Sequence, residues 1–241
     1  MKRFDAIIIG AGQAGPSLAG RLTAAGMTVA IVERHLFGGT CVNTGCTPTK
    51  TLVASAYAAH LARRAADFGV DTGPVKVDMA RVHARARAVV RKSRDGLERW
   101  LRGLPRCTVL RGQARFEARD LVRVGGEQLS APRIFVNVGG RAVVPPLSGV
   151  DRVPHFDNSS LLALDRLPAH LVVVGGSYVG LEFAQMYRRF GARVTVIERQ
   201  ARLIAQEDDE VSAAIRGILE GEGIAVRTSA DCIGLRPAPD G

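Results

Sequence analysis

The chain has 241 residues, 46% of them hydrophobic, which is enough to build a core and excludes a disordered chain. Lys and Arg number 33 against 23 Asp and Glu, a formal charge of +10, but the basic residues are nearly all Arg, lie scattered, and accompany no zinc-finger, homeodomain or RNA-recognition signature, so nucleic-acid binding is not expected. No run approaches the roughly 20 apolar residues of a membrane span, and four cysteines are too few for a disulfide scaffold; the expectation is a soluble, cytoplasmic protein without membrane contact.

In chain order, Met1-Lys2-Arg3 and the apolar run Ala6 to Ile9 are too short for a signal peptide, and the glycines that follow at once predict a buried first strand. From Phe4 to Arg34 the pattern is strand, glycine turn, helix, strand, a parallel βαβ unit. Gly10, Gly12 and Gly15 sit between that strand and helix, and Glu33 ends the next strand, 23 positions after Gly10. A lone GxGxxG is weak evidence, but this context makes it credible. Gly10 permits the tight turn, Gly12 lets backbone approach a pyrophosphate, Gly15 lets helix pack on strand, and Glu33 is placed for a ribose diol. The pyrophosphate meets the positive end of the helix.

Next comes GGTCVNTGCTPTK, Gly38 to Lys50. In an ideal helix Cys41 and Cys46 would have Cα atoms about 8.7 Å apart, and a disulfide tolerates only about 7 Å. Pairing therefore needs a distorted turn, for which Gly45, ahead of Pro48, provides a flexible point. With Cys46 near a helix start and Lys50 one turn on, the dipole and the ammonium both favour a thiolate. No second Cys or His pair at ligand spacing accompanies them, so no metal is expected. On spacing alone, two unrelated buried thiols remain open. Cys107 and Cys232 read as incidental thiols.

Thr51 to Phe68 is Ala-rich and helical in pattern, and Asp78 to Leu104 carries an apolar helical stripe with arginines opposite. Cys107 to Val138 alternates in short β-like runs around Gly125-Gly126, which predicts a hairpin or meander. Gly139 to Pro168 is rich in Pro and Gly. His170 to Arg199 then repeats the first unit: Gly10 falls on Gly175, Gly15 on Gly180, Gly26 on Gly191 and Glu33 on Glu198. Serine replaces the middle glycine at Ser177; its hydroxyl is able to donate to a phosphate. Glu198 would bond a 2′-hydroxyl and repel a 2′-phosphate, favouring NADH over NADPH, with Arg199 softening the preference. A helix over Asp208 to Glu222 and a strand over Ile224 to Arg227 follow. The fold class is α/β, with two Rossmann-like βαβ units and a small β meander between them.

GGTCVNTGCTPTK resembles the GGTCxNxGCxPxK signature of the flavoprotein disulfide reductases, which include dihydrolipoamide dehydrogenase, glutathione reductase and mercuric reductase. The two dinucleotide units in order extend the resemblance over nearly the whole chain. Ile134 to Arg141 resembles the family's second flavin-contacting segment, retaining Gly139 but having Asn137-Val138 where Ala-Thr is usual. The resemblance implies FAD at the first unit, with Gly39 and Thr40 beside Gly10, Gly12, Gly15, Glu33 and Gly139, and NAD(P)H at Gly175, Ser177, Gly180 and Glu198. It implies that NAD(P)H reduces the flavin, which opens a Cys41–Cys46 disulfide that exchanges electrons with a small-molecule disulfide or related oxidant. Cys46 would be the flavin-facing charge-transfer thiol, Cys41 the interchange thiol, and Lys50 the partner of Glu182.

The implied division is 1–145 for the first portion of an FAD-binding domain, 146–168 for an inter-domain passage and 169–241 for an incomplete NAD(P)-binding domain. In the family a C-terminal domain completes a homodimer and supplies a catalytic histidine, and none of the five histidines here stands in such a context. The expectation is that these 241 residues turn over poorly by themselves. The competing reading is a noncatalytic flavin- or nucleotide-binding remnant.

Overall fold

A computed structural model describes residues 1–237. Compactness groups residues 1–48 with 87–141 and residues 49–86 with 142 onward.

The first unit is built on a four-stranded parallel sheet in the order β4 (Cys107–Arg111), β3 (Val29–Glu33), β2 (Ala6–Ile9), β8 (Ile134–Val136). Its central strands are apolar at consecutive positions because both faces are covered. Ala6, Ile8, Val29 and Ile31 pack with Ala19 of α1 (Ala14–Ala24) and Leu101 of α4 (Met79–Gly103). Ile7, Ala30 and Val32, pointing the other way as alternation requires, pack with Val122, Val124 and Leu129. Those three residues belong to a second sheet, β1 (Lys2–Arg3), β7 (Glu127–Ser130), β6 (Leu121–Val124) and β5 (Ala114–Ala118). The expected meander is thus β5 to β7, turning at Gly125-Gly126. The outer runs β4 and β8 differ from the expectation: they leave the meander and join the parallel sheet, since Val109 and Leu110, like Phe135 and Ile134, have an apolar cluster on each face.

Between β3 and α4 lie α2 (Gly39–Thr44) and α3 (Cys46–Arg64), the latter continued by a 3₁₀ turn at Ala65–Phe68. In the second unit β11 (Ala225–Arg227), β10 (Arg193–Ile197) and β9 (His170–Val174) form a parallel sheet, joined through α6 (Tyr178–Phe190) and α7 (Asp209–Gly221). A short α5 (Asn158–Ala163) precedes it, capped reciprocally by Asp157 and Ser160.

Most of α3 and the first turns of α4 sort with this unit, because Leu52 and Ala56 of α3 and Met79 and Ala86 of α4 share one apolar cluster with Phe183, Ala184 and Tyr187 of α6. Tyr187 donates to the Leu161 carbonyl at 3.0 Å, and burial pushes its phenol up to about 12. Between α3 and α6 a polar cluster closes the packing. Glu222 accepts from Arg189 Nε at 2.7 Å and Nη2 at 2.6 Å and from Gln185 Nε2 at 2.8 Å. Arg189 lies over the Tyr57 ring, and His60 Nδ1 stands 4.0 Å from the carboxylate. Burial alone would raise the Glu222 carboxyl, but the Arg189 hydrogen bonds and charge prevail and hold it below its usual range.

Candidate active site

The two glycine turns have the same construction. Gly10 follows β2 with φ +107°, a conformation that glycine adopts without a Cβ penalty, and Gly175 follows β9 with φ +111°. Gly10 N donates to Val32 O and Gly175 N to Ile197 O, both at 2.8 Å. A Cβ on Gly15 would lie 2.1 Å from Gly10 O, and one on Gly180 2.6 Å from Gly175 O. The last glycine of each motif therefore lets the helix seat on its own turn.

Glu33 and Glu198 do more than the sequence reading assigned them. Glu33 Oε2 accepts from Ala11 N at 2.9 Å and Oε1 from His35 N at 2.8 Å. Glu198 Oε2 accepts from Gly176 N at 2.6 Å and Oε1 from Gln200 N at 2.7 Å. Each carboxylate ties the glycine turn to the end of its neighbouring strand. Its oxygens keep lone pairs for a ribose hydroxyl. The repeat of glycine and glutamate carried this signal, since one spacing recurs in both units.

The residues present fit dinucleotides. Neither the Gln13 side chain at the start of α1 nor that of Ser177 at the start of α6 caps its helix, and neither first turn holds an acidic residue, so both positive ends are available to a phosphate. In the first unit Gly39 is so close to Gly12 that a Cβ built on it would lie 2.8 Å from Gly12 Cα, which leaves backbone alone facing the turn. In the second, a cavity of about 780 Å³ is lined by Ser177, Glu182, Gln185, Glu198 and Arg199, with Ile215 of α7 on its apolar side. Gly139 takes φ +71° in an exposed stretch, where a Cβ would meet nothing within 4 Å; Asn137 abuts the Gly10 turn, because a Cβ on Gly10 would lie 2.2 Å from its carbonyl oxygen.

Cys41 lies in α2 and Cys46 is the first residue of α3, with the helix broken at Gly45 (φ −140°, ψ −120°). A Cβ at Gly45 would meet Thr40 O at 3.0 Å and Cys41 Cα at 3.1 Å, so a side chain there would wedge α2 away from the start of α3. The Asn43 side-chain amide donates to Phe37 O and Gly39 O, both at 2.9 Å, and fixes α2. Thr40 is exposed, Cys41 half-buried and Cys46 exposed; both cysteines are free thiols here. Burial first, then the Cys46 thiol and its charge, push the Cys41 thiol above its ordinary value. One turn along α3 from Cys46, Lys50 forms an ion pair with Glu182 of α6. Glu222, Arg189 and Gln185 went unnoticed in the sequence, where Glu222 reads only as a helix end; Gln185 brings their cluster to the cavity wall. Among the described residues no three His, Cys, Asp or Glu side chains gather as a metal site, and no helix is long and apolar enough to cross a membrane.

The family model for pyridine nucleotide-disulphide oxidoreductases matches residues 4–238. The chain belongs to this family. A probable pyridine nucleotide-disulfide oxidoreductase, RclA of Escherichia coli, is 36% identical over 233 residues, covering 94% of this chain and 49% of the relative. A dihydrolipoyl dehydrogenase of Acholeplasma laidlawii is 33% identical over 235 residues, covering 95% and 70%. A solved structure described as the Cu(II) complex of the HOCl-induced flavoprotein disulfide reductase RclA superposes with a TM-score of 0.86 at 34% identity, over 99% of this chain and 52% of that one. The chain thus spans about half the length of the RclA proteins it matches. Members of the pyridine nucleotide-disulphide oxidoreductase family are enzymes that use FAD and NAD(P)H, and the Rossmann-like α/β architecture described above is theirs.

Proposed function

We propose that this protein passes electrons from NAD(P)H through FAD to a Cys41–Cys46 disulfide and on to a small-molecule disulfide or related oxidant. The observation that carries this reading is the helix break at Gly45, which sets Cys41 against Cys46 at the start of α3. Bound FAD supplies the two-electron relay between the nicotinamide and the sulfurs. The chain's own residues do the rest. Gly10, Gly12, Gly15, Gly39, Thr40, Glu33 and Gly139 hold the flavin dinucleotide, and Gly175, Ser177, Gly180 and Glu198 hold the nicotinamide dinucleotide.

Two electrons and two protons convert the disulfide to two thiols. Cys46, the first residue of α3, is then the flavin-facing sulfur. Cys41, whose thiol is pushed above its ordinary value first of all by burial, serves as the interchange sulfur. Lys50, fixed by Glu182, places a cation one turn along the redox helix. The corresponding domains are 1–145 for the first portion of FAD binding, 146–168 as passage and 169–241 for NAD(P), although residues 49–86 group with the second unit by compactness. We place the enzyme in the cytoplasm; the homodimer is the expectation for full-length members of the family.

Thiol counting tests the central step. The air-oxidised, flavin-loaded protein should alkylate at Cys107 and Cys232 only, and at all four cysteines after reduction by NADH. Four reactive thiols before reduction would make the pair structural and remove the proposed relay.

For the nicotinamide, NADH should bind more tightly than NADPH, because the Glu198 carboxylate borders the cavity and repels a 2′-phosphate. Arg199, exposed on the same wall, makes the preference modest. Equilibrium titration with both nucleotides checks this, and tighter NADPH binding would assign the choice to Arg199.

A further inference from the structure

We infer that the Asn137 side-chain amide is a flavin-binding group, a hydrogen-bond donor held at the first glycine turn for an acceptor on FAD; this rests on reading the first unit as the FAD site. Asn137 directly follows β8. Its backbone N–H donates to Ile9 O at 2.8 Å, and its carbonyl oxygen occupies the space a Gly10 side chain would need. The residue is therefore fixed at the carboxyl ends of adjacent parallel strands, the edge where open α/β sheets take their ligands.

Its Nδ2 is buried and has no hydrogen-bond partner among the described residues. Native proteins nearly always satisfy such a donor, because burying it unpaired is costly. Backbone conformation gives no reason for asparagine here, as Asn137 is not in the left-handed region. Local capping gives none either. By contrast, Asn43, whose Oδ1 is likewise buried and unpartnered, is accounted for by its two bonds to Phe37 and Gly39. A leucine of similar size would fill the space at Asn137 without an unpaired amide. What an amide adds is a neutral N–H beside the turn, suited to a phosphate, hydroxyl or carbonyl oxygen of a dinucleotide.

The test uses the flavin-loaded protein, stripped of FAD and retitrated by flavin fluorescence, in wild type, Asn137→Asp and Asn137→Leu. Asn137→Asp keeps the shape, deletes the donor and adds a charge that phosphates repel. We expect FAD affinity to fall roughly tenfold in Asn137→Leu and roughly a hundredfold in Asn137→Asp. The apoprotein of Asn137→Leu should melt no lower than wild type, because the unpaired donor is gone. Unchanged FAD affinity in both variants, with a lower-melting Asn137→Leu apoprotein, would make Asn137 a structural residue and overturn the inference. A wild type that binds no FAD would instead overturn the reading of the first unit.

Discussion

Replacing either cysteine of the pair by serine should abolish what disulfide turnover the wild type shows, however slow, because neither serine can form the covalent sulfur intermediate. Electron transfer from NADH to a one-electron dye such as ferricyanide should survive in both variants, since it draws on the nucleotide sites alone. The two variants should still differ from each other. In Cys41→Ser the remaining sulfur, Cys46, is exposed at a helix start; in Cys46→Ser the remaining sulfur, Cys41, is half-buried and its thiol is pushed up first of all by burial. Iodoacetamide at neutral pH should therefore modify the first variant faster when both are flavin-free, and more slowly once flavin covers the flavin-facing Cys46. Equal alkylation rates would remove the assignment of roles, and retained disulfide turnover in either variant would remove the relay itself.

Gly12→Ala and Gly15→Ala should separate binding from folding within one motif. A Cβ on Gly15 would lie 2.1 Å from Gly10 O and 3.2 Å from Gly10 C, which is backbone that cannot swing aside. We expect a loss of roughly 3 kcal/mol or more, in the range of strongly destabilising single substitutions, and a Tm lower by roughly 6–12 °C for a chain of this size. A Cβ on Gly12 meets nothing closer than Gly39 Cα at 3.9 Å, and Gly12 is not in the left-handed region. Its apoprotein should melt within a few degrees of wild type. The methyl would nonetheless stand where backbone approaches the pyrophosphate, so FAD affinity should fall by roughly tenfold or more. Melting curves of the apoproteins and fluorescence titrations with FAD give both quantities. Equal melting losses in the two variants, or unimpaired FAD binding in Gly12→Ala, would contradict this division of labour.

What the sequence by itself determined was local. The glycine spacing, the apolar runs before it and the glutamate after it specify strand, turn, helix and strand, because each depends only on chain geometry and side-chain period. The recurrence of that pattern from His170 to Arg199 placed the second unit. Gly45 between Cys41 and Cys46 announced the helix break for the same reason: an unbroken helix keeps the two sulfurs too far apart.

The tertiary structure decided where surfaces of similar composition would pack. Nothing in the Ala-rich stretch of α3 or the arginine-lined α4 says that Leu52, Ala56, Met79 and Ala86 belong with α6; shape and available apolar area settled it. The same holds for β4 and β8, indistinguishable in pattern from the meander strands yet drawn into the parallel sheet, where apolar residues are covered on both faces. Long-range polar pairing was hidden likewise. The clamps of Glu33 and Glu198, the Glu222–Arg189 pair and the unpartnered amide of Asn137 depend on which backbone and side-chain groups are left without water once the elements have packed, and that is fixed only by the assembled unit.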